Sequence, residues 1–223
     1  MSRENPKRAL FAQFAVVAKA VAHPHRLELL EQLAQGERNV ETLAERVGLS
    51  IANASQHLQQ MRRAGLLTAR REGKYIFHAL GDEAVLDLLA ALRRIAEANL
   101  AEVERVVNGY FRHRDSLEPV TRPELMERLK DGLVTVLDVR PGDEFALGHL
   151  PGAVNIPLGT LETRLADFDP DREIVAYCRG PYCVMSYEAV AMLRARGFNV
   201  RRLEDGLPEW RAAGLPVEVG SPG

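Results

Sequence analysis

Through the first half of the chain apolar residues recur at helical spacing. Through the second half, short apolar runs alternate with helical segments. Residues 7–22 carry Leu10, Phe11, Phe14, Val17, Ala18 and Val21 on one stripe, and Pro24 ends the pattern. The spacing predicts further helices over 25–35, 40–47 and 51–64, stopped by Gly36, Gly48 and Gly65, the last capped by Ser50. Two strand-like runs, 66–71 and 75–80, flank Glu72-Gly73-Lys74 and predict a hairpin. Val85, Leu88, Leu89, Leu92, Ile95, Ala96, Leu100, Val103 and Val107 predict one long helix over 84–111.

The helical period is lost at about residues 113–122, where Pro119 enters. We therefore expect a first domain at 1–113, a linker at 114–120 and a second domain at 121–220. A helix capped at Thr121 runs to about Lys130, followed by a buried strand at 134–139 and a helix at 141–147. A short strand at 154–156, a helix at 159–166, a strand at 174–177 and a helix at 186–196 come next. A strand at 200–203 and a helical turn at 208–213 complete the domain. Alternating strands and helices imply a parallel sheet with helices on both faces, an α/β domain after a mainly α one. Ligands of such sheets bind beyond the carboxyl ends of the strands.

With 223 residues, 46% hydrophobic and 27% charged, the chain has material for two packed domains. No apolar run approaches the roughly 18 residues of a membrane span. The charged start, Met1 to Arg8, does not read as a secretory signal, so a cytoplasmic protein is expected. Residues 1–113 hold 16 Lys+Arg and 13 Asp+Glu, a charge of +3, and residues 114–223 hold 13 and 18, a charge of −5. A polyanionic partner therefore suits the first domain better than the second.

The helix at 40–47, its Gly turn and the Ser50-capped helix make a helix-turn-helix. The last of these has an apolar stripe of Ala54, Leu58 and Met61. Its other side offers Asn53, Ser55, Gln56, His57, Gln59 and Gln60, with Arg62 and Arg63 at its end. Asn and Gln pair bidentately with adenine, and Arg and Lys engage phosphates. Arg70, Arg71 and Lys74 put basic residues on the hairpin, which reads as a wing. Together these predict binding to double-stranded operator DNA. The apolar faces at 7–22 and 84–111 exceed what so small a module buries, so we expect a homodimer through both, reading two half-sites. His23 and His25 flank Pro24 and are a weak metal signal.

The stretches Val21-Ala22-His23-Pro24-His25-Arg26, Leu43-Ala44-Glu45-Arg46-Val47-Gly48-Leu49-Ser50 and 54–67, with its His57-Leu58 and Ala64-Gly65-Leu66, closely resemble the ArsR family of winged helix-turn-helix repressors over about residues 8–110. The resemblance implies a dimer held by its first and last helices, a recognition helix in the major groove, and repression relieved by an inducer. The metal sensors of that family place cysteines near the position of residues 37–41, or Asp and His ligands on the last helix. The first stretch has no cysteine here, and 84–111 has no His or Cys, so no metal or cofactor is expected.

The chain's two cysteines lie in one stretch, Ile174-Val175-Ala176-Tyr177-Cys178-Arg179-Gly180-Pro181-Tyr182-Cys183. A thiol between a strand end and a helix start meets converging N–H groups and a favourable helix dipole, which makes it a thiolate nucleophile. The second domain, over about 118–220, resembles the rhodanese domain through Leu137-Asp138-Val139-Arg140, Gly148-His149-Leu150-Pro151-Gly152-Ala153-Val154-Asn155-Ile156-Pro157, Tyr177-Cys178 and Asp205-Gly206-Leu207-Pro208-Glu209-Trp210. The resemblance implies a sulfurtransferase in which Cys178 carries a persulfide taken from a sulfane sulfur donor such as thiosulfate or polysulfide.

Related phosphatases and arsenate reductases need an oxyanion-clamping Arg six residues after the Cys, and Val184 stands there. Arg179 reads equally as charge for an anionic donor or as a solvated rim residue. Cys183 reads as a resolving thiol or as a packing residue. Asp138, Arg140 and His149 read as structural. Two functions follow: a repressor whose rhodanese domain senses or transfers sulfane sulfur, or a working sulfurtransferase localised or autoregulated by DNA binding.

Overall fold

The computed structural model describes residues 5–115 and 117–220. The chain divides into two compact units, Met1–Leu89 and Ala90–Gly223. The first unit holds α1 (Pro6–Val21), α2 (Pro24–Ala34), β1 (Arg38–Asn39), α3 (Val40–Val47), α4 (Ile51–Arg63), β2 (Leu67–Glu72), β3 (Tyr75–Leu80) and the start of α5 (Ala84–Asn99). Side chains cap the helix starts: Asn39 accepts from the N–H of Thr42 at 2.8 Å and Ser50 from that of Asn53 at 3.2 Å. Gly48 ends α3 at φ 67°, a left-handed conformation that favours glycine. Leu29, Leu30, Leu43, Leu58 and Met61 are fully covered in one core. Burial of such side chains stabilises by about 1.5–3 kcal/mol each.

The predicted hairpin is β2–β3, joined by β1 into a sheet of order β1-β3-β2. Strand β1 is a finding beyond the sequence pattern, because two residues are too few to show a period. On α1 only Ala20 and Val21 are buried, while Leu10, Phe11, Phe14 and Val16 stay exposed.

The helix expected over 84–111 is interrupted. After α5, Leu100 is extended at φ −110° and ψ 107°, α6 (Ala101–Val106) restarts the chain, and a π-helical segment (Val107–Arg112) follows. The Asn99 side-chain amide donates to the Ile95 carbonyl at 2.8 Å, where the helix ends.

The second unit continues with α7 (Arg122–Lys130), β4 (Val134–Asp138), α8 (Gly142–Leu147), β5 (Val154–Asn155), α9 (Leu158–Leu161) with a 3-10 turn (Glu162–Asp167), β6 (Glu173–Tyr177), α10 (Val184–Ala195), β7 (Val200–Arg202) and α11 (Leu207–Ala212). The sheet is parallel in the order β5-β4-β6-β7. Alternation along β6 sends Ile174, Ala176 and then Cys178 to the core shared with α9 and α10, and Val175 and Tyr177 to the core shared with α7 and α11. This is the expected α/β architecture with helices on both faces.

Part of the expected linker is built into this unit. Val120 is fully buried and bridges Leu203 in parallel, and Asp115 pairs with Arg194 at 2.8 Å. Ser116 lies outside the described residues. The units part between Leu89 and Ala90, inside α5. Helix α10 begins at Val184, earlier than the sequence pattern places it, which makes Cys183 its N-cap residue. No helix among the described residues is long and apolar enough to cross a membrane.

Candidate thiol site and nucleic-acid face

Strand β6 delivers Cys178 to the carboxyl end of the sheet. The chain then turns through Gly180, Pro181 and Tyr182, and the Cys183 N–H donates to the Gly180 carbonyl at 3.1 Å. Proline sits at the turn position its fixed φ suits. The turn brings the Cα atoms of Cys178 and Cys183 to 6.1 Å, and the two residues form a disulfide. Both sulfur-bearing residues are buried, at 1% and 7% exposure. Cys183 stands at the start of a 12-residue helix whose first N–H groups and dipole favour a thiolate.

The loop is held from below and from one side. Arg179 makes a bidentate ion pair with fully buried Glu144, at 2.7–3.2 Å. Its guanidinium is therefore committed to the protein rather than solvated at a rim. The Leu207 N–H donates to the Cys178 carbonyl at 3.3 Å. Gly206 lies so close that a Cβ there would fall 2.4 Å from the backbone of Arg179 and Gly180. The Asp-Gly dipeptide in the rhodanese-like stretch was the available signal for Gly206, although nothing in it gives the contact.

Asp138, Arg140 and His149 are all buried. The Arg140 guanidinium grips fully buried Asp138 and donates to the Gly148 carbonyl at 2.8 Å. The Tyr177 hydroxyl donates to Asp138 and accepts from the Leu150 N–H at 3.1 Å. Burial, and next the Asp138 charge, hold the Tyr177 phenol well above its usual pKa. His149 stacks on Phe145 at 3.6 Å between ring centres and donates to the Phe145 carbonyl at 2.9 Å.

Tyr182, between the two cysteines, was not singled out by sequence. Its ring packs 5.1 Å from that of Phe111 in the π-helical segment. Burial, and next the nearby Glu97 carboxylate of α5, push its pKa up to about 12. Arg93, one turn before Glu97, pairs with it at 3.7 Å and with Glu209 of α11 at 2.9 Å.

In the first unit, Ala54, Leu58 and Met61 anchor α4. Asn53, Gln56, Gln59, Arg62 and Arg63 are exposed, and Ser55 is half-buried and accepts from Gln59 at 3.3 Å. Gln60 is exposed too but has a side-chain partner, and His57 is not exposed. The Gln60 carbonyl oxygen accepts from buried Arg26. His57 is half-buried, with ring centres 4.6 Å from His23 and 6.1 Å from His25. Burial first, then the nearby His23, Arg26 and His25, hold its pKa below the usual histidine value. Despite this gathering, no group of three or more His, Cys, Asp or Glu among the described residues is placed to hold a metal ion. On the wing Arg71 and Lys74 are exposed, while Arg70 is bidentate to Glu37 at 2.8 Å and also pairs with Glu72. That pairing, across 33 residues of sequence, was not readable from the hairpin alone.

Residues 21–70 match a helix-turn-helix domain family and residues 121–213 the rhodanese-like domain family. The HTH-type transcriptional regulator Rv0324 of Mycobacterium tuberculosis is 45% identical over 216 residues, which cover 97% of this chain and 95% of that protein. A sulfurtransferase of Allochromatium vinosum is 35% identical over 95 residues, 42% of this chain and 87% of that one. A fragment of a Mycobacterium bovis protein, described as a homodimeric winged helix-turn-helix DNA-binding domain, is 39% identical, covers 45% of this chain and 93% of its own, and superposes with a TM-score of 0.41. Similarity to Rv0324 along nearly the whole length joins the two matched domains in one architecture, and the chain belongs to the ArsR-type winged helix-turn-helix transcriptional regulators that carry a C-terminal rhodanese domain.

Proposed function

We propose that this regulator is a dimeric repressor whose operator binding is modulated by sulfane sulfur, with Cys178 the acceptor and Cys183 the resolving thiol. The observation that carries the reading is the Cys178–Cys183 bridge, formed between a strand end and a helix start. The Cys178 thiolate attacks a sulfane sulfur of a polysulfide; the donor S–S bond breaks, and the shortened polysulfide leaves with its electron pair. Cys178 then carries a persulfide. The Cys183 thiolate attacks the Cys178 sulfur, the persulfide S–S bond breaks, and hydrosulfide leaves. Two thiols are oxidised to a disulfide and one sulfane sulfur is reduced to sulfide. With thiosulfate as donor, sulfite is the first leaving group.

Operator contacts are assigned to Asn53, Ser55, Gln56 and Gln59 for base edges and to Arg62, Arg63, Arg71 and Lys74 for phosphates. His57, Gln60 and Arg70 join them by exchanging their present partners. The exposed apolar residues of α1, with Leu92 and Ile95 of α5, support dimerisation through residues 7–22 and 84–111. We keep 1–113 as the DNA-binding and dimerisation part and 121–220 as the sulfur-handling part.

Mass spectrometry of the loop peptide tests the chemistry. After polysulfide treatment of reduced protein, wild type is expected to lose two hydrogens per chain and release one sulfide, while Cys183→Ser keeps one extra sulfur on Cys178. An unmodified Cys178 in Cys183→Ser refutes the reading. The identity to the A. vinosum sulfurtransferase favours a second reading, a working enzyme. Sustained conversion of thiosulfate and cyanide to thiocyanate, lost in Cys178→Ser, would establish it.

A further inference from the structure

We infer that the Glu144–Arg179 pair makes the cysteine loop select its donor: Cys178 takes sulfur from a polysulfide or an organic persulfide, donors without an oxyanion head, and not from thiosulfate. The inference rests on the sulfur-sensing reading and names the substrate class of the same site. In either transfer the donor S–S bond breaks and the leaving group takes the electron pair. From thiosulfate that group is sulfite, whose charge sits on oxygens and calls for N–H donors and cations. From a polysulfide it is a shortened sulfur chain, whose charge is spread over large, polarisable sulfur atoms.

The groups of the loop that an oxyanion would use are already engaged. The guanidinium of Arg179, the residue after the acceptor thiol, is held by both carboxylate oxygens of fully buried Glu144. Pro181 has no N–H to give. The Cys183 N–H donates to the Gly180 carbonyl at 3.1 Å, and the Ser186 N–H and hydroxyl both donate to the Cys183 carbonyl, at 3.2 and 2.9 Å. On the Gly180 side the neighbour is a carboxylate and not a cation. An oxygen of Glu209, which pairs with Arg93 at 2.9 Å, lies 3.7 Å from where a Cβ on Gly180 would stand. The sulfurs themselves have apolar surroundings. Cys178 and Cys183 share a core with Val139 and Ile156, against which half-buried Leu158 and Met185 pack. Such surroundings suit a sulfur chain, and they penalise sulfonate oxygens left without hydrogen bonds.

The test follows thiol loss in reduced full-length protein, with the bridge confirmed by mass, using a polysulfide and thiosulfate in turn. Each rate is divided by that of free cysteine with the same donor, which removes the donors' own reactivities. Wild type is expected to favour polysulfide by at least about tenfold, the effect of one missing charge-assisted hydrogen bond to the oxyanion. Glu144→Gln leaves the Arg179 charge uncompensated. It is expected to raise the thiosulfate rate at least about fivefold and to move the polysulfide rate less than about twofold. Adding Arg179→Gln should cancel the gain. A merely structural role for Glu144 would raise neither rate. Equal normalised rates for the two donors in wild type overturn the selection and leave sensing intact, whether or not Glu144→Gln folds. A folded Glu144→Gln with no gain on thiosulfate overturns the selection as well. No bridging with either donor overturns the sensing reading and the selection with it.

Discussion

Gly206 closes against the cysteine loop with no room for a methyl group, since its Cβ would stand 2.4 Å from the Arg179 and Gly180 backbone. Gly206→Ala is expected to lower stability by about 1–3 kcal/mol in urea melts, the usual cost of overpacking. Beneath it, Asp138 and Arg140 are both fully buried. Asp138→Ala leaves the buried Arg140 guanidinium without its carboxylate and is expected to cost about 3–5 kcal/mol. In the first unit, burial first and then Arg62 depress the pKa of buried His78, and His57 is depressed as well. The unfolded chain therefore takes up protons before the folded one. Stability of this unit should fall as pH drops from 7 through the ordinary histidine value and toward the lower folded values. His78→Gln should flatten the slope of Tm against pH in that window, and an unchanged slope would remove His78 from the account. These positions differ in how far sequence reveals them. The pairing of Asp138 with Arg140 lay open to sequence because the two stand two residues apart. Arg70 with Glu37, and His57 with His23, did not, because such pairings depend on where distant elements meet.

Helices α3 and α4 and the β2–β3 hairpin lie where periodicity and turn residues put them, because each signal is local: a cap, a glycine stop, an amphipathic stripe. The interruption at Leu100 escaped the same reasoning. Apolar spacing continues across it, and the extended backbone of Leu100 at the break leaves no mark on the period. The early start of α10 escaped too, and it matters more, since it turns Cys183 from a loop residue into an N-cap. On α4 and the wing, the split between exposed amides and exposed cations gives a clean expectation. Lys74→Ala should weaken binding to all sequences alike and reduce the salt slope by about one, while Gln56→Ala should relax specificity at one base position by about 1–3 kcal/mol. Band shifts over a salt series and a mutated operator panel distinguish the two. A sequence-independent loss in Gln56→Ala would take it out of base readout.

Domain order was plain in the chain: a helix-turn-helix with a basic wing, then alternating strands and helices ending in rhodanese-like stretches. The boundary was less so. Residues 90–115 and Val120 are built into the second unit by Asp115–Arg194, Phe111–Tyr182 and the Val120–Leu203 bridge. All three contacts are tertiary. Their consequence is that the cysteine loop and part of the helix expected to hold the dimer belong to one compact unit, and the proposed function has sulfur chemistry there alter operator binding. Operator affinity of four samples, wild type and Cys178→Ser, each untreated and polysulfide-treated, tests that effect. The account predicts that treatment changes the affinity of wild type by at least about fivefold and leaves Cys178→Ser unmoved. Equal affinity in all four samples would contradict it.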